Sequence, residues 1–303
     1  MKKSKHNSPT VICSSDMKTV KGKVAYWSIF AFLVLASLAA IVPVLWIVLT
    51  AFKDTQEIYQ SFSFFPKNVT LDNALEKMSL AWEALDLGRS VLNTILFSLG
   101  SLAITLSVCG FGGYALSKLK PRGSKLVLML LVWTMMMPGQ IRTVSQYISF
   151  MHFPFASEGG INMLNTYWPM WIAAGSDVFS TLLFKNSFDA VPTSCIEAAR
   201  IDGASDARIL FTIAIPLSLS VVIFVTIGSL SGAWSNFFLP YLVLGDEEKL
   251  IVPVKVFMLA KDTTIKMNTY MMALVFAAVP PFIIFVFFQK YIVGGINVGG
   301  VKG

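Results

Sequence analysis

The sequence has few of the residues that build catalytic or metal centres. Only 14% of its 303 residues are charged, and it has two histidines and three cysteines. The cysteines are too far apart to predict a disulfide framework or a metal site, and neither His6 nor His152 has a neighbour at metal-ligand spacing. A phosphate-binding Gly-x-x-x-x-Gly-Lys-Ser/Thr motif is also absent. We therefore expect no metal, no cofactor and no ATP site in this chain.

Apolar residues are abundant instead, at 55% of the sequence. Soluble domains are about 45–50% apolar and about 25% charged. Here the apolar residues form runs that reach the roughly 20 residues needed to cross a bilayer as a helix. The formal charge of +7 flanks these runs and forms no basic face interleaved with aromatic residues. The composition predicts an all-α protein surrounded by membrane lipid, with no nucleic-acid partner.

Six transmembrane helices are predicted from the apolar runs. The first run is too long to be the apolar region of a signal peptide, so we expect it to remain as a helix. The predicted domain covers residues 24–292, between an N-terminal tail (1–23) and a C-terminal tail (293–303). The spans are residues 24–52, 91–117, 126–149, 163–184, 210–232 and 269–291.

Basic residues predict the orientation of these spans. The short loop 118–125 carries Lys118, Lys120, Arg122 and Lys125 and no acidic residue. Lys and Arg accumulate in cytoplasmic loops, so we predict that both termini are inside. Loop 185–209 is then cytoplasmic, and the long loops 53–90 and 233–268 are outside. Their aromatic residues favour either docking of an external partner or anchoring at the membrane interface.

The cytoplasmic loop 185–209 has the pattern of two short helices. Ser194 and Glu197 have the spacing of a capping box, with Ser194 as the N-cap. Gly203 can adopt positive φ and would end the first helix. A second amphipathic turn follows and ends before Pro216. We expect a helix along the inner membrane face with Glu197 and Asp202 exposed, although Glu197 can serve only to complete the capping box.

This loop also resembles a known family. Glu197-Ala198-Ala199, three residues, Gly203, nine residues and Ile213-Ala214-Ile215-Pro216 resemble the signature of permease subunits of binding-protein-dependent ABC importers. That signature usually has Leu where this chain has Ile215.

The likeness extends along nearly the whole chain from Lys23. Leu92-Asn93-Thr94 resembles the start of the family's second span, and the segment from Gly113 to Lys118 resembles its end. Leu164-Asn165-Thr166-Tyr167 stands where the fourth span begins. The tail from Gln289 to Gly303 resembles the carbohydrate branch, the partner of the maltose-permease type.

The resemblance implies the multi-pass transmembrane domain of a type I ABC importer with a cytoplasmic coupling helix, in the bacterial cell membrane (inner or plasma membrane). Two cytoplasmic ATP-binding subunits would use ATP and Mg, and the loop would fit a cleft on them. A second homologous permease would complete the pathway, and an extracytoplasmic solute-binding protein would deliver a sugar to the outer loops. The implied coupling residues are Glu197, Ala198, Ala199, Asp202, Gly203, Ala204 and Pro216.

Polar and aromatic side chains within the spans are candidates for contact with a sugar. Aromatic faces offer a sugar a large contact area, but interhelical hydrogen bonding and packing explain the same residues. Arg142 and Asp177 are charges near membrane depth, where charge is costly and often functional; they can pair with each other or line the path. The candidates are Thr134, Gln140, Arg142, Gln146, Tyr147, Tyr167, Trp171, Ser176 and Asp177.

Three other functions are compatible with an apolar multi-span chain. An ABC permease for a non-sugar solute, such as a glycerol phosphate or a polyamine, shares the loop signature. A secondary ion-coupled carrier usually has midplane charges and an inverted repeat, and no clear repeat is present. A membrane enzyme is disfavoured because Asp177 is a lone intramembrane aspartate and no His-Glu-x-x-His occurs.

Overall fold

The computed structural model describes residues 19–60, 63–154 and 159–293, and these residues are almost entirely helical. Most of the two predicted tails therefore lies outside the described residues. The helices are α1 (Val20–Ala51), α2 (Thr55–Gln60), α3 (Leu71–Leu85), α4 (Leu87–Tyr114), α5 (Ser124–Met135), α6 (Gly139–Met151), α7 (Trp168–Gly175), α8 (Val178–Asp189), α9 (Thr193–Ile201), α10 (Asp206–Ile209), α11 (Ile215–Leu217), α12 (Leu219–Ser235), α13 (Phe238–Val243), α14 (Val252–Lys261) and α15 (Met267–Val293).

Three of these helices are long and apolar enough to cross a membrane. They are Val20–Ala51, Leu87–Leu119 and Met267–Tyr291, of which the second continues α4 through a π-helical turn, Ala115–Leu119. The described residues hold four such segments if Asp206–Leu217 and Leu219–Ser235 form one span, bent by 83°. These helices mark a multi-pass membrane protein. The count of six spans and the inside position of both termini stay predictions.

Two of the predicted spans are each interrupted by a break between two helices. Residues 126–149 fall on α5 and α6, which are separated before Pro138, a residue that lacks a backbone N–H and has ψ of 131°. Residues 163–184 fall on α7 and α8. Asp177 separates these two helices because its carboxylate accepts a hydrogen bond from the Phe179 N–H and caps α8.

The second turn of the cytoplasmic loop, predicted to end before Pro216, continues to Leu217. Residues 206–217 remain helical through Pro216, with a π-helical turn at Leu210–Ala214 before it. The break falls at Ser218, which has φ of −105° and ψ of 18°.

Two groups of packed helices make up the described fold. Helix α4 packs against α7, α8 and α12, and α15 packs against α1, α3, α12 and α14. Glycines allow the first group to pack closely. A Cβ at Gly100 would lie 2.2 Å from the Trp171 ring, and one at Gly113 would lie 2.6 Å from the Phe184 Cβ. Such close backbone approach is how membrane helices associate without a hydrophobic driving force.

The two long predicted outer loops contain helices. Segment 53–90 holds α2, α3 and the start of α4, and segment 233–268 holds α13 and α14. The first segment has a buried lysine: Lys77 is 6% exposed and donates to the Phe52 carbonyl and the Asp54 carboxylate, each at 2.8 Å. The hydrogen bond from Lys77 holds the pKa of Asp54 below its ordinary value.

Two of the apolar cores lie toward opposite ends of α4. One surrounds Phe97 and Met170 and receives α13 and the start of α14. The other surrounds Tyr114 and Phe188 and receives α9, α10 and the start of α12. The segments outside the spans therefore pack against the same group of helices, at its two ends.

Candidate functional site

The loop between α8 and α12 has the geometry of a helix–turn–helix. Helix α9 ends at Ile201, and Gly203 follows with φ of +79°. The Gly203 N–H donates to the Arg200 carbonyl at 3.0 Å and the Ala204 N–H to the Ala199 carbonyl at 2.9 Å, which close the C-terminus of α9. Helix α10 then starts at Asp206. The predicted division of the loop at Gly203 is present.

The predicted capping box is absent. Helix α9 begins at Thr193, so Ser194 lies inside the helix, and Pro192 occupies the N-cap position without a side-chain cap. Pro192 has φ of −56°, which lets the chain enter the helix early, and its carbonyl accepts the Cys195 N–H at 3.2 Å. Glu197 therefore has no capping function, and the alternative that it only completes a capping box is excluded.

The loop has a buried face and an exposed face. Ile196 and Ile209 are at most 4% exposed and pack into the core around Tyr114 and Phe188, with Ala199 and Ala204 beside them. On the outer face, Glu197, Ala198, Asp202 and Gly203 are exposed, and the Ile201 side chain is 86% exposed. Pro216, at the far end of the predicted motif, is exposed as well. The exposed side combines two carboxylates with an uncovered isoleucine, as a protein-binding surface would.

Polar contacts tie the start of this loop to the end of α4. Ser117 donates to the Asp189 carboxylate at 2.6 Å, Lys185 donates to the same carboxylate at 2.7 Å, and Lys118 donates to the Val191 carbonyl at 2.9 Å. Burial would raise the pKa of Asp189, but the hydrogen bonds from Lys185 and Ser117 outweigh it and hold the pKa below its ordinary value. The Asp189 carboxylate is therefore ionised at neutral pH and holds both donors.

A second site is a cavity of about 1040 Å³ among α4 to α8, α12 and α13. Its volume suits a small ligand or part of a larger one. Of the sequence-predicted path residues, Thr134, Arg142, Gln146, Ser176 and Asp177 line it.

The two predicted intramembrane charges are together in this cavity but not paired. Among the described residues, Arg142 forms no ion pair with Asp177. The Asp177 carboxylate instead accepts hydrogen bonds from the Phe179 N–H and the Ser180 hydroxyl. The hypothesis that the two charges pair is wrong, and both line the cavity.

The three predicted aromatic path residues, Tyr147, Tyr167 and Trp171, are not among the residues that line the cavity. Tyr167 donates to the Lys249 carbonyl at 2.8 Å, and Trp171 donates to the Phe97 carbonyl at 3.1 Å. With Tyr147 they pack against the core around Phe97. Interhelical packing accounts for all three. The side chain of Gln140 lies outside the described residues.

Sequence reasoning missed several polar residues of the cavity. Ser101 and Thr105 are spaced i, i+4 on α4, Thr143 is on α6 and Asn236 follows α12. The Ser101 hydroxyl is buried and has no hydrogen-bond partner among the described residues. The i, i+4 spacing was the available signal, because it places both side chains on one helix face. In the described part of the chain, His, Cys, Asp and Glu form no group that could hold a metal ion.

Comparison with known proteins identifies the class. The family model described as "Binding-protein-dependent transport system inner membrane component" matches residues 109–298, and the chain belongs to this family. It is therefore a permease subunit of the ABC importer class, as the loop motif predicted.

Relatives and solved structures are similar over nearly the whole chain. The galactooligosaccharides transport system permease protein GanQ of Bacillus subtilis is 29% identical, over 91% of this chain and 95% of its own. The probable starch degradation products transport system permease protein AmyC of Thermoanaerobacterium thermosulfurigenes is 27% identical, over 89% and 94%. A chain of a bacterial ABC transporter that imports the acidic polysaccharide alginate has the same fold, with a TM-score of 0.75 and 22% identity over 90% of this chain and 98% of that one.

Proposed function

We propose that this chain is a permease subunit of an ATP-driven importer that translocates a sugar or oligosaccharide. Relatives that match over about nine-tenths of the chain are named as transporters of galactooligosaccharides, starch degradation products and arabinooligosaccharides. A chain of a second solved structure, a bacterial alginate ABC transporter in complex with an alginate pentasaccharide-bound periplasmic protein, also has a similar fold, with a TM-score of 0.62 and 13% identity. These names support an extracytoplasmic binding protein as the partner that delivers the sugar, and a second permease completes the path.

The exposed face of the cytoplasmic loop 185–209, the proposed coupling loop, supports the link to ATP hydrolysis. Glu197 and Asp202 are exposed, while Ile196 is buried and packs α9 against the core around Tyr114 and Phe188. An exposed carboxylate on a short rigid helix can pair with basic residues in a cleft of a cytoplasmic ATP-binding subunit. When two such subunits close on ATP, α9 moves with them, and the core around Ile196 carries that motion to α4, α8 and α12.

The cavity supports the translocation path. Its lining offers hydroxyl, amide and charged groups, including Ser101, Thr143, Gln146 and Arg142. These groups can exchange hydrogen bonds with sugar hydroxyls, and partner-subunit helices would close its open side. In this proposal the chain binds no ATP or Mg itself.

Charge reversal at Glu197 tests the coupling. In the assembled transporter, Glu197→Lys places a cation against the basic residues proposed in the ATPase cleft, so sugar uptake falls to background while the subunit still reaches the membrane. The matched control is Glu83→Lys, the same reversal at an exposed glutamate on α3; its uptake stays at the wild-type level. Uptake by Glu197→Lys equal to that of the control contradicts the proposal.

A solute panel tests the substrate class. Vesicles with the complete transporter and its binding protein should take up a neutral or acidic oligosaccharide only when ATP is inside the compartment that holds the ATPases. Uptake of glycerol phosphate or a polyamine alone would assign the chain to a non-sugar branch. Uphill uptake by the purified chain on a proton or sodium gradient would identify a secondary carrier instead.

A further inference from the structure

The start of α4 holds the segment that leads into α14. Asn93 donates from its side-chain amide to the carbonyls of Glu248 and Leu250, at 2.8 and 3.1 Å. The Thr94 side chain, fully buried, accepts the Val252 N–H at 3.0 Å. The outer segment (residues 244–252) is therefore bonded through its main chain to α4 at three points. Main-chain contacts of this kind fix the position of a segment whatever its side chains are.

A second set of contacts keeps this outer segment in a single shape. Asn165 has φ of +60°, and its side-chain oxygen accepts the N–H groups of Gly245 and Asp246 at 3.2 and 3.0 Å. Its carbonyl accepts the Lys249 ammonium at 3.1 Å, and the same ammonium pairs with the Asp246 carboxylate at 2.9 Å. These bonds fold residues 245–249 onto the start of α7, so a displacement of the outer segment cannot be absorbed within it.

The other end of the same helix holds the inner segment (residues 189–191), which leads into α9. There Ser117 bonds the Asp189 carboxylate at 2.6 Å and Lys118 bonds the Val191 carbonyl at 2.9 Å. Among the described residues, the helix Leu87–Leu119 is the only one whose side chains hydrogen-bond to both the outer and the inner segment.

The body of this helix has the properties of a rigid connection. It runs without a break from Leu87 to Leu119, so that Asn93 and Ser117 are about 36 Å apart at 1.5 Å per residue. The Trp171 ring packs on Gly100 and the Phe184 Cβ packs on Gly113, and both contacts are closer than an added methyl group would allow. These two close contacts oppose sliding of the helix past α7 and α8. A tilt of one end of the helix therefore moves its other end.

We propose that the helix Leu87–Leu119 is the element that couples the outer segment to the coupling loop. This inference rests on the proposed function and adds roles for Asn93 and Ser117, the polar residues at the two ends of the helix. Both are positioning residues: they act by holding a segment that contacts a partner. Because coupling between two sites is reciprocal, nucleotide at the inner end must alter the outer segment.

The experiment places a reporter on the outer segment and changes Ser117 and Lys118, the inner anchor of the helix; Asn93 is its outer anchor. The reference transporter carries Glu247→Cys at an exposed position, with Cys13→Ser and Cys195→Ala; Cys109 is buried. It is assembled with its second permease and ATPases in nanodiscs and labelled with a polar maleimide, without nucleotide and after trapping with ATP and vanadate. Trapping should change the labelling rate about fivefold or more, the lower range of measured allosteric couplings.

The decisive variant is Ser117→Ala with Lys118→Met, because it leaves every contact of the outer segment in place. The ratio of the two labelling rates should fall toward one in this variant and in Asn93→Ala. The matched control is Ser107→Ala, an exposed serine on the same helix, which keeps the full ratio. A purely structural role for the anchors would lower thermal stability and leave the ratio unchanged.

The possible outcomes separate this inference from the proposed function. An unchanged ratio in both anchor variants, with ATP hydrolysis intact, overturns the inference and leaves the importer function standing. A reference reporter that does not respond to trapping overturns it as well, since the outer segment then does not move with nucleotide. An assembly that neither binds nor hydrolyses ATP contradicts the proposed function itself.

Discussion

Gly203 sets the geometry of the proposed coupling surface, the exposed side of α9 and the turn after it, through its backbone alone. Its φ of +79° joins α9 to α10, and a Cβ at this position would meet no atom within 4 Å. For Gly203→Ala we therefore expect a cost of about 1–2 kcal/mol from the left-handed conformation and no steric clash. The change reorients Asp202 relative to Glu197, so ATP-driven uptake should fall while the amount of protein in the membrane is unchanged.

Two variants control for this prediction. Gly203→Asn retains activity, because asparagine tolerates the left-handed region better than alanine. Gly123→Ala carries the same backbone strain, at φ of +88°, in the turn before α5, and should leave coupling unchanged. Uptake assays on matched membrane amounts distinguish these variants, and equal loss in both Gly→Ala variants would mean that strain anywhere impairs the fold.

Residues could be predicted from the sequence where their role depends on local chain geometry. Gly203 and the exposed carboxylates of Glu197 and Asp202 follow from a short motif, and the structure agrees with their predicted placement. Ser194 was assigned wrongly as the N-cap, because the spacing of a capping box takes no account of a preceding proline. With Pro192 as the N-cap, the helix starts at Thr193, two residues earlier than predicted. Tyr167 and Trp171 were suggested as path residues, but they pack between helices instead. The direction of an aromatic side chain depends on the neighbouring helices, and their positions cannot be read from a single sequence.

Helix α4 contains two glycines for which the structure predicts opposite effects of alanine. A Cβ at Gly113 would lie 2.6 Å from the Phe184 Cβ and 2.8 Å from the Lys185 backbone nitrogen. Gly113→Ala must therefore push α8 away and should destabilise the protein by about 1–3 kcal/mol, as overpacking does. At Gly110 nothing lies within 4 Å of an added Cβ, so Gly110→Ala should stabilise by up to about 1 kcal/mol through helix propensity.

Thermal unfolding of the purified chain in detergent measures both changes. The apparent midpoint should fall for Gly113→Ala and hold or rise for Gly110→Ala. A fall of equal size in both would show that α4 and α8 are not in the close contact described. A matched pair on one helix removes differences in detergent binding between separate spans.

Whole helices could be predicted where hydropathy alone defines them. The spans predicted at 24–52, 91–117 and 269–291 fall on α1, on α4 with the π-helical turn that continues it, and on α15, the three described helices that are long and apolar enough to cross a membrane. Hydropathy did not indicate the breaks within 126–149 and 163–184, because a mean over a run of residues does not register local chemistry. Pro138 and the cap formed by Asp177 break the chain within runs that remain apolar overall.

At the scale of the molecule, the proposed function requires that the coupling loop and α3 face opposite sides of the membrane. Basic residues around loop 118–125 predict that the coupling loop is inside. The structure is compatible with this arrangement, since the anchors at Asn93 and Ser117 lie at opposite ends of one membrane-length helix. The orientation of the chain relative to the bilayer, however, depends on the lipid and the cell, because the helices pack in the same way in either orientation.

The native Cys195 makes this orientation measurable. It is exposed on α9, whereas Cys109 is buried, so in a Cys13→Ser background it is the site open to a membrane-impermeant maleimide. Cys195 should react in inverted vesicles and not in intact cells, and removal of the ATPase subunits should speed its labelling by uncovering the loop. With Cys195→Ala and Glu83→Cys on α3, the pattern should reverse. Labelling of Cys195 from outside would place the coupling loop on the wrong side for any cytoplasmic ATPase, and both the orientation and the proposed coupling would then be wrong.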